Sequence, residues 1–292
     1  MDKKMILLFG SAGTVMLGII IFTVVLIVGM QNKPVNIAVT DFTTDMAYGL
    51  LEGYCNVGGE KVSKYVNSYS VSDAYKKIIE EGTDVVLASD IDQDTLNWIE
   101  SSNVEVEIIP IAKDAIVFFN NTLNSVANLS INNIKDIYSG KVTNWSEIGG
   151  ENLDIIAYPP KDGTEESYML TKFMGSRTVS KPRYRIPDVT TEKVYEAVSK
   201  YLDTRKKAIG YTTYNNSKKI TDYDNVRTLS INGVKPTDES IRSGEYAGTM
   251  DIYAIIRKDT PANSQTRNFV NYILSQNGQD IINEGGYINL SE

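Results

Sequence analysis

The sequence predicts an α/β protein of two successive lobes, built on parallel strands covered by helices and preceded by one membrane-spanning helix. Three observations predict it. Residues from Met5 to Met30 carry no charge. From Val35 onward, short apolar runs alternate with amphipathic segments, the pattern of strands alternating with helices. Val104–Asn120 is a single long strand-like stretch, which suggests a chain leaving one lobe for another.

The apolar run comes first. A helix needs about 20 apolar residues to cross a bilayer core, and the stretch 5–30 is long enough. Asp2-Lys3-Lys4 precede it, so residues 1–4 are expected to stay cytoplasmic and everything after Lys33 to be exported. Lys33 offsets part of that bias. A cleaved signal peptide would have an apolar region of about 7–15 residues and a small-x-small cleavage site. Here the run is longer and Val28-Gly29-Met30 is a poor site. The expected location is the cell membrane, single-pass, with the main domain extracytoplasmic.

The 292-residue chain has a formal net charge of -8. Lys3, Lys4 and Lys33 outweigh Asp2 near the N-terminus, so the acidity belongs to the exported part, and nucleic acid is not an expected partner. The single cysteine, Cys55, cannot form an internal disulfide and reads as a small buried residue on a helix. There is no histidine. That removes the usual general base, the Ser-His pair and the commonest transition-metal ligand. No catalytic residue, metal ligand or cofactor is assigned, and the chain reads as a non-enzyme.

The elements follow in order. Val35–Val39 reads as a strand, Thr44–Tyr54 as a helix, Val62–Asn67 as a strand and Ser72–Glu81 as a helix. Val85–Ala88 is a continuous apolar run, as in a buried parallel strand. Asp92–Ser101 is helical, with Leu96, Trp98 and Ile99 expected in the core. The long stretch to Asn120 is broken by Pro110 and by Lys113-Asp114. A second cycle then places helices at Ile131–Ser139, Thr164–Met174 and Thr191–Leu202, and strands at Leu153–Tyr158 and Ala208–Tyr214. Met250–Arg257 is a strand, and Ser264–Glu284 is helical with an interruption near Gly278. The first lobe is expected to hold about 35–115 and 235–292, and the second about 116–234.

The run Ile137-Tyr138-Ser139-Gly140-Lys141-Val142-Thr143-Asn144-Trp145-Ser146-Glu147-Ile148-Gly149-Gly150 resembles the phosphate-binding proteins of phosphate ABC transporters. Three further stretches fit in the same order: Ile111–Val117, Ala208–Tyr211, and Gly278–Ile282 through Gly286–Leu290. The resemblance covers essentially all of residues 35–292 and implies a periplasmic-binding-protein-like fold with two crossovers, its lobes closing over a small anion such as phosphate. Permease subunits of an importer are the partners it implies.

That family cradles phosphate with three loops of hydroxyls, glycines and arginines. The matching loops here are Val39-Thr40-Asp41-Phe42-Thr43-Thr44, Ala88-Ser89-Asp90 and Lys161-Asp162-Gly163-Thr164-Glu165-Glu166. The candidate ligand-binding residues are therefore Thr40, Asp41, Phe42, Ser89, Asp90, Gly163, Thr164 and Glu165. Asp41, Asp90 and Glu165 bring acid into each loop, the last two where the family has arginine. Two unit charges about 4 Å apart interact by roughly 4 kcal/mol at an effective dielectric near 20, so these acids oppose an anion. Each also has a structural reading, as a helix cap or first-turn carboxylate. Two functions stay open: a membrane-anchored solute-binding protein of an ABC importer, and a degenerate binding fold acting as a surface sensor, scaffold or partner-binding domain.

Overall fold

The structure is a computed structural model that describes residues 32–80, 82–89, 93–158, 165–180, 191–219 and 223–290. The expected membrane anchor lies outside the described residues, and among those described no helix is long and apolar enough to cross a membrane.

Strand β1 (Ile37–Val39) runs between β2 (Val66–Ser68) and β3 (Val85–Ser89), parallel to both. Every residue of β1 and β3 is buried, as expected of parallel strands with helices on both faces. Helix α1 (Thr44–Cys55) lays Met46, Leu50, Leu51 and Tyr54 on one of those faces. It stops at Asn56, whose φ of 52° is the left-handed conformation common at helix ends.

A short helix α2 (Gly59–Val62) and a 3₁₀ turn at Ser63–Tyr65 occupy most of the expected strand at 62–67. Val62 closes the short helix and Val66 opens β2, and both enter the same core. Helix α3 (Val71–Lys76) also ends earlier than expected. Beyond it, the carbonyls of Ile78 and Ile79 accept hydrogen bonds from the Arg257 guanidinium at 2.7 and 2.5 Å, so the chain turns instead of continuing the helix. Helix α4 (Gln93–Ser101) buries Ile99 but leaves Trp98 40% exposed, with the Lys76 ammonium 6.0 Å from its ring centroid. Trp98 is therefore a surface residue, contrary to the sequence expectation.

The organising element is β4 (Val106–Asn121), 16 residues long and unbroken by Pro110 or Lys113-Asp114. Its first part, Val106–Ala115, pairs with β10 (Thr249–Arg257), and its last part, Ile116–Asn120, pairs with β7 (Ala208–Thr213). Pro110 has no N–H to give the ladder, and the register with β10 slips there: Ile252 faces Ala112 while Tyr253 faces Pro110. The main sheet reads β2-β1-β3-β10-β4-β7-β6, with β6 at Ile156–Ala157 and β8 (Val226–Thr228) also paired to β4. A small parallel pair, β5 (Asn128–Leu129) with β9 (Ser230–Ile231), lies apart from it.

Two main cores flank this strand. The first gathers β1, β3, α1 and the C-terminal helices α10 (Gln265–Leu274) and α11 (Gln276–Glu284). The second gathers the end of β4, α5 (Ile131–Tyr138), α6 (Glu165–Met174) and β7. Helix α7 (Thr191–Ser199) covers the opposite face of β7 through Val194, Tyr195 and Val198. Ile241 of α9 (Asp238–Arg242), Tyr246 and Met250 also join the second core. The chain thus returns to the first core with β10, later in sequence than the expected boundary at 235.

The run 137–150 is built into the second core. Trp145 is wholly buried and its indole N–H donates to the Lys207 carbonyl at 2.9 Å. The Glu147 carboxylate accepts from the amides of Thr143 and Asn144 at 2.9 and 2.8 Å, and Gly149 turns the chain with φ 89°. Near the C-terminus the helix break falls at Ser275 rather than Gly278. Gly278 sits inside α11, where a Cβ would come 2.3 Å from the Tyr272 carbonyl oxygen. Its role is close approach of two helices.

Candidate ligand cleft

The register of β4 decides where a ligand would sit. Ser89, at the C-terminal end of β3, faces Ile252, and Ile252 faces Ala112. Thr213, at the C-terminal end of β7, faces Ile116. The strand ends of both lobes therefore converge on the same short stretch of β4. In open α/β sheets, ligands bind outside the C-terminal ends of the strands.

Of the expected site residues, Thr40, Asp41, Phe42 and Ser89 are described. The β1 loop and the β3 end are joined directly: the Thr43 hydroxyl donates to the Leu87 carbonyl at 2.6 Å and accepts from the Thr40 amide at 3.1 Å. The Thr40 hydroxyl lies 3.3 Å from that of Thr43, and Thr40 is buried. Ser89 is buried too, and its carbonyl accepts from the Tyr75 hydroxyl. Asp41 is exposed and its carboxylate accepts from the Ser68 hydroxyl at 2.7 Å. It ties its loop to the end of β2. Phe42 reaches the other way, with its side chain packed on the second core. Asp90, Gly163 and Thr164 lie outside the described residues, and of Glu165 only the backbone is described, as the first residue of α6.

The second lobe presents the start of α6 beside β7, where the Tyr211 hydroxyl donates to the Glu166 carbonyl at 3.4 Å. Tyr211 belongs to an aromatic group: Phe118 lies 5.7 Å from Tyr138 and 5.2 Å from Phe173, and Tyr138 meets Tyr211 edge-on at 5.6 Å. Burial pushes the Tyr138 and Tyr211 hydroxyls above the ordinary phenol range.

Asp114 was not among the expected site residues. It lies between Ala112 and Ile116 on β4, is buried, and accepts from the Ala115 amide at 2.7 Å and the Asn215 amide at 3.1 Å. Asn215 is the second residue of α8 (Tyr214–Lys219), so the carboxylate meets a helix start. Burial still wins over these donors and pushes its pKa up to about 7. The signal was in the sequence: an acid set between Ile111-Ala112 and Ala115-Ile116-Val117 must find partners if it is buried with them. Among the described residues no group of acids, cysteines or histidines is arranged to hold a metal ion.

Two lobes bridged by one long strand, with their strand ends turned to a common cleft, define a two-lobed, periplasmic-binding-protein-like α/β fold. The chain belongs to the PBP superfamily domain family, whose model matches residues 61–277. It is similar to the phosphate-binding protein PstS of Bacillus subtilis, 28% identical over 172 residues, 57% of this chain and 52% of that protein. The PstS of Borreliella burgdorferi is 25% identical over 61% of this chain and 64% of its own length. The chain thus spans about half of the first relative and less than two thirds of the second. An ABC-type phosphate transport receptor from Vibrio cholerae shares the fold with a TM-score of 0.68 at 21% identity, over 87% of this chain and 99% of that one.

Proposed function

We propose that residues 35–292 form a solute-binding domain of an ABC importer, for phosphate or a related small anion, tethered outside the cell membrane by residues 5–30. The convergence of both sets of strand ends on residues 112–116 of β4 carries this reading. The relatives that bear the name phosphate-binding protein support it, as does the uncharged run at 5–30. The first lobe would comprise about 35–115 and the chain from Thr249 on, with the second lobe between them. The role is capture and hand-over of a solute to permease subunits, not catalysis.

One observation favours the second reading, a degenerate binding fold that serves as sensor or scaffold. The β1 loop is committed to internal bonds, Thr40 to Thr43 and Asp41 to Ser68, and each of the three loops carries an acid. Calorimetric titration of the full chain in detergent with inorganic phosphate, alongside sulfate, separates the two. Saturating heat with a matching rise in Tm supports the receptor. No heat with either anion removes it in favour of the scaffold.

A further inference from the structure

The C-terminal turn, residues 285–290, touches both lobes at once. Ile288 and Lys113 exchange two backbone hydrogen bonds, at 2.8 and 2.9 Å, so the turn adds an antiparallel bridge to β4 beside the cleft. Lys113 is also held from β10, where its ammonium meets the Asp251 carboxylate at 2.6 Å. Toward the second lobe, the Asn215 side-chain amide donates to the Gly285 carbonyl at 2.9 Å, and Arg242 donates to the Asn289 side-chain oxygen at 3.1 Å. Toward the first lobe, the Leu290 amide donates to the Gln279 side chain at 2.7 Å. Tyr287 lies in the first core and Ile288, its neighbour, in the second.

One contact ties this turn to the candidate ligand loop: the Tyr287 hydroxyl donates to the Phe42 carbonyl. Phe42 in turn packs across the cleft on the second core.

We infer that the C-terminal turn is an interlobe strap and that Tyr287 is a positioning residue coupling the Thr40–Thr44 loop to the angle between the lobes. A rotation about β4 must break or slide the Asn215–Gly285 and Arg242–Asn289 bonds while the Leu290–Gln279 bond holds. A displacement of the loop at Phe42 passes through Tyr287 to Ile288, one residue on, and so to β4. Packed interfaces of this kind move between discrete arrangements rather than bending continuously. The inference rests on reading the Thr40–Thr44 loop as the ligand loop, but its test needs no ligand.

The test places nitroxide labels on Glu100→Cys and Lys200→Cys, both exposed and on opposite lobes, in the full chain. Cys55 is buried and is not expected to take label. Dipolar spectroscopy then reads the interlobe distance distribution without added anion. Tyr287→Phe keeps the ring in its core and should broaden the distribution about twofold, with Tm little changed. Asn215→Ala should broaden it further, and Tyr65→Phe, remote from the strap, should leave it alone. An unchanged distribution in folded Tyr287→Phe overturns the inference, even where Asn215→Ala fails to fold. Titration with inorganic phosphate forms a separate arm. If phosphate binds the unaltered chain, Tyr287→Phe should weaken it several-fold. If phosphate does not bind, the receptor reading fails while the distance result still decides the strap.

Discussion

The backbone amide of Asn215 donates to the buried carboxylate of Asp114 across 3.1 Å, joining the first residues of α8 to the stretch of β4 between the lobes. A carboxylate in that position carries a cost that depends on pH. Its ordinary pKa of 3.8 rises to about 7 in the fold, because burial outweighs the amides that donate to it. As pH rises, the unfolded chain loses this proton first. The stability contributed by the group is whole below about pH 4 and is lost as pH climbs through about 7, on the order of 4 kcal/mol in all.

Asp114→Asn keeps an oxygen for the two amides and removes the titration. Tm recorded from about pH 5 to about pH 8 should fall more steeply for the unaltered chain than for the variant. Parallel curves would mean that the carboxylate is not desolvated as its burial implies.

Trp145 fills the second core and its indole N–H is bonded to Lys207. Trp145→Phe should cost about 0.5–1.5 kcal/mol by removing that hydrogen bond, since the Lys207 carbonyl still accepts from the Ile156 amide, and Trp145→Ala about 3–5 kcal/mol by adding a cavity. Urea denaturation gives both values, and a Trp145→Phe variant as stable as the unaltered chain would refute the contribution of the hydrogen bond.

Gly278 marks close approach between α10 and α11. Gly278→Ala should destabilise by roughly 1–3 kcal/mol, since backbone rather than a flexible side chain must give way. Gly58→Ala is the control, because nothing lies within 4 Å of the added Cβ. A melting curve that treats the two alike would contradict the packing.

If Asp90 and Glu165 face the cleft, their charge limits anion binding. The double variant Asp90→Arg with Glu165→Arg should bind inorganic phosphate more tightly than the unaltered chain, because it removes two repelling carboxylates and adds two donor forks. Calorimetry reads the difference. Tight binding by the unaltered chain, with no gain in the variant, would place both acids away from the ligand.

Protease added outside intact cells should digest the region after Lys33 and spare a tag fused before Met5. A chain released whole into the medium would contradict an anchored topology.

The alternation of strands and helices, the long strand near 104–120 and the family resemblance centred on Trp145 are all legible in the order of the residues. These are local signals: a run of apolar residues at one period, or a set of capping and turn residues a few positions apart, fixes its own backbone. Even so, Val62–Asn67 reads as one strand, whereas only Val66 and Asn67 of it join β2 and Val62 closes a short helix. Trp98 read as core because periodicity names a face without saying what covers it. The candidate site was legible as three loops, but not as a geometry. That Asp41 turns to Ser68, that Phe42 crosses to the second core, and that Asp114 meets Asn215 depend on strands brought into register from distant parts of the chain. The hold of residues 285–290 on both lobes was likewise decided only by tertiary structure. Its hydrogen bonds join residues as far as 245 positions apart, as between Phe42 and Tyr287, and no local pattern encodes a contact made only when two lobes close on one strand.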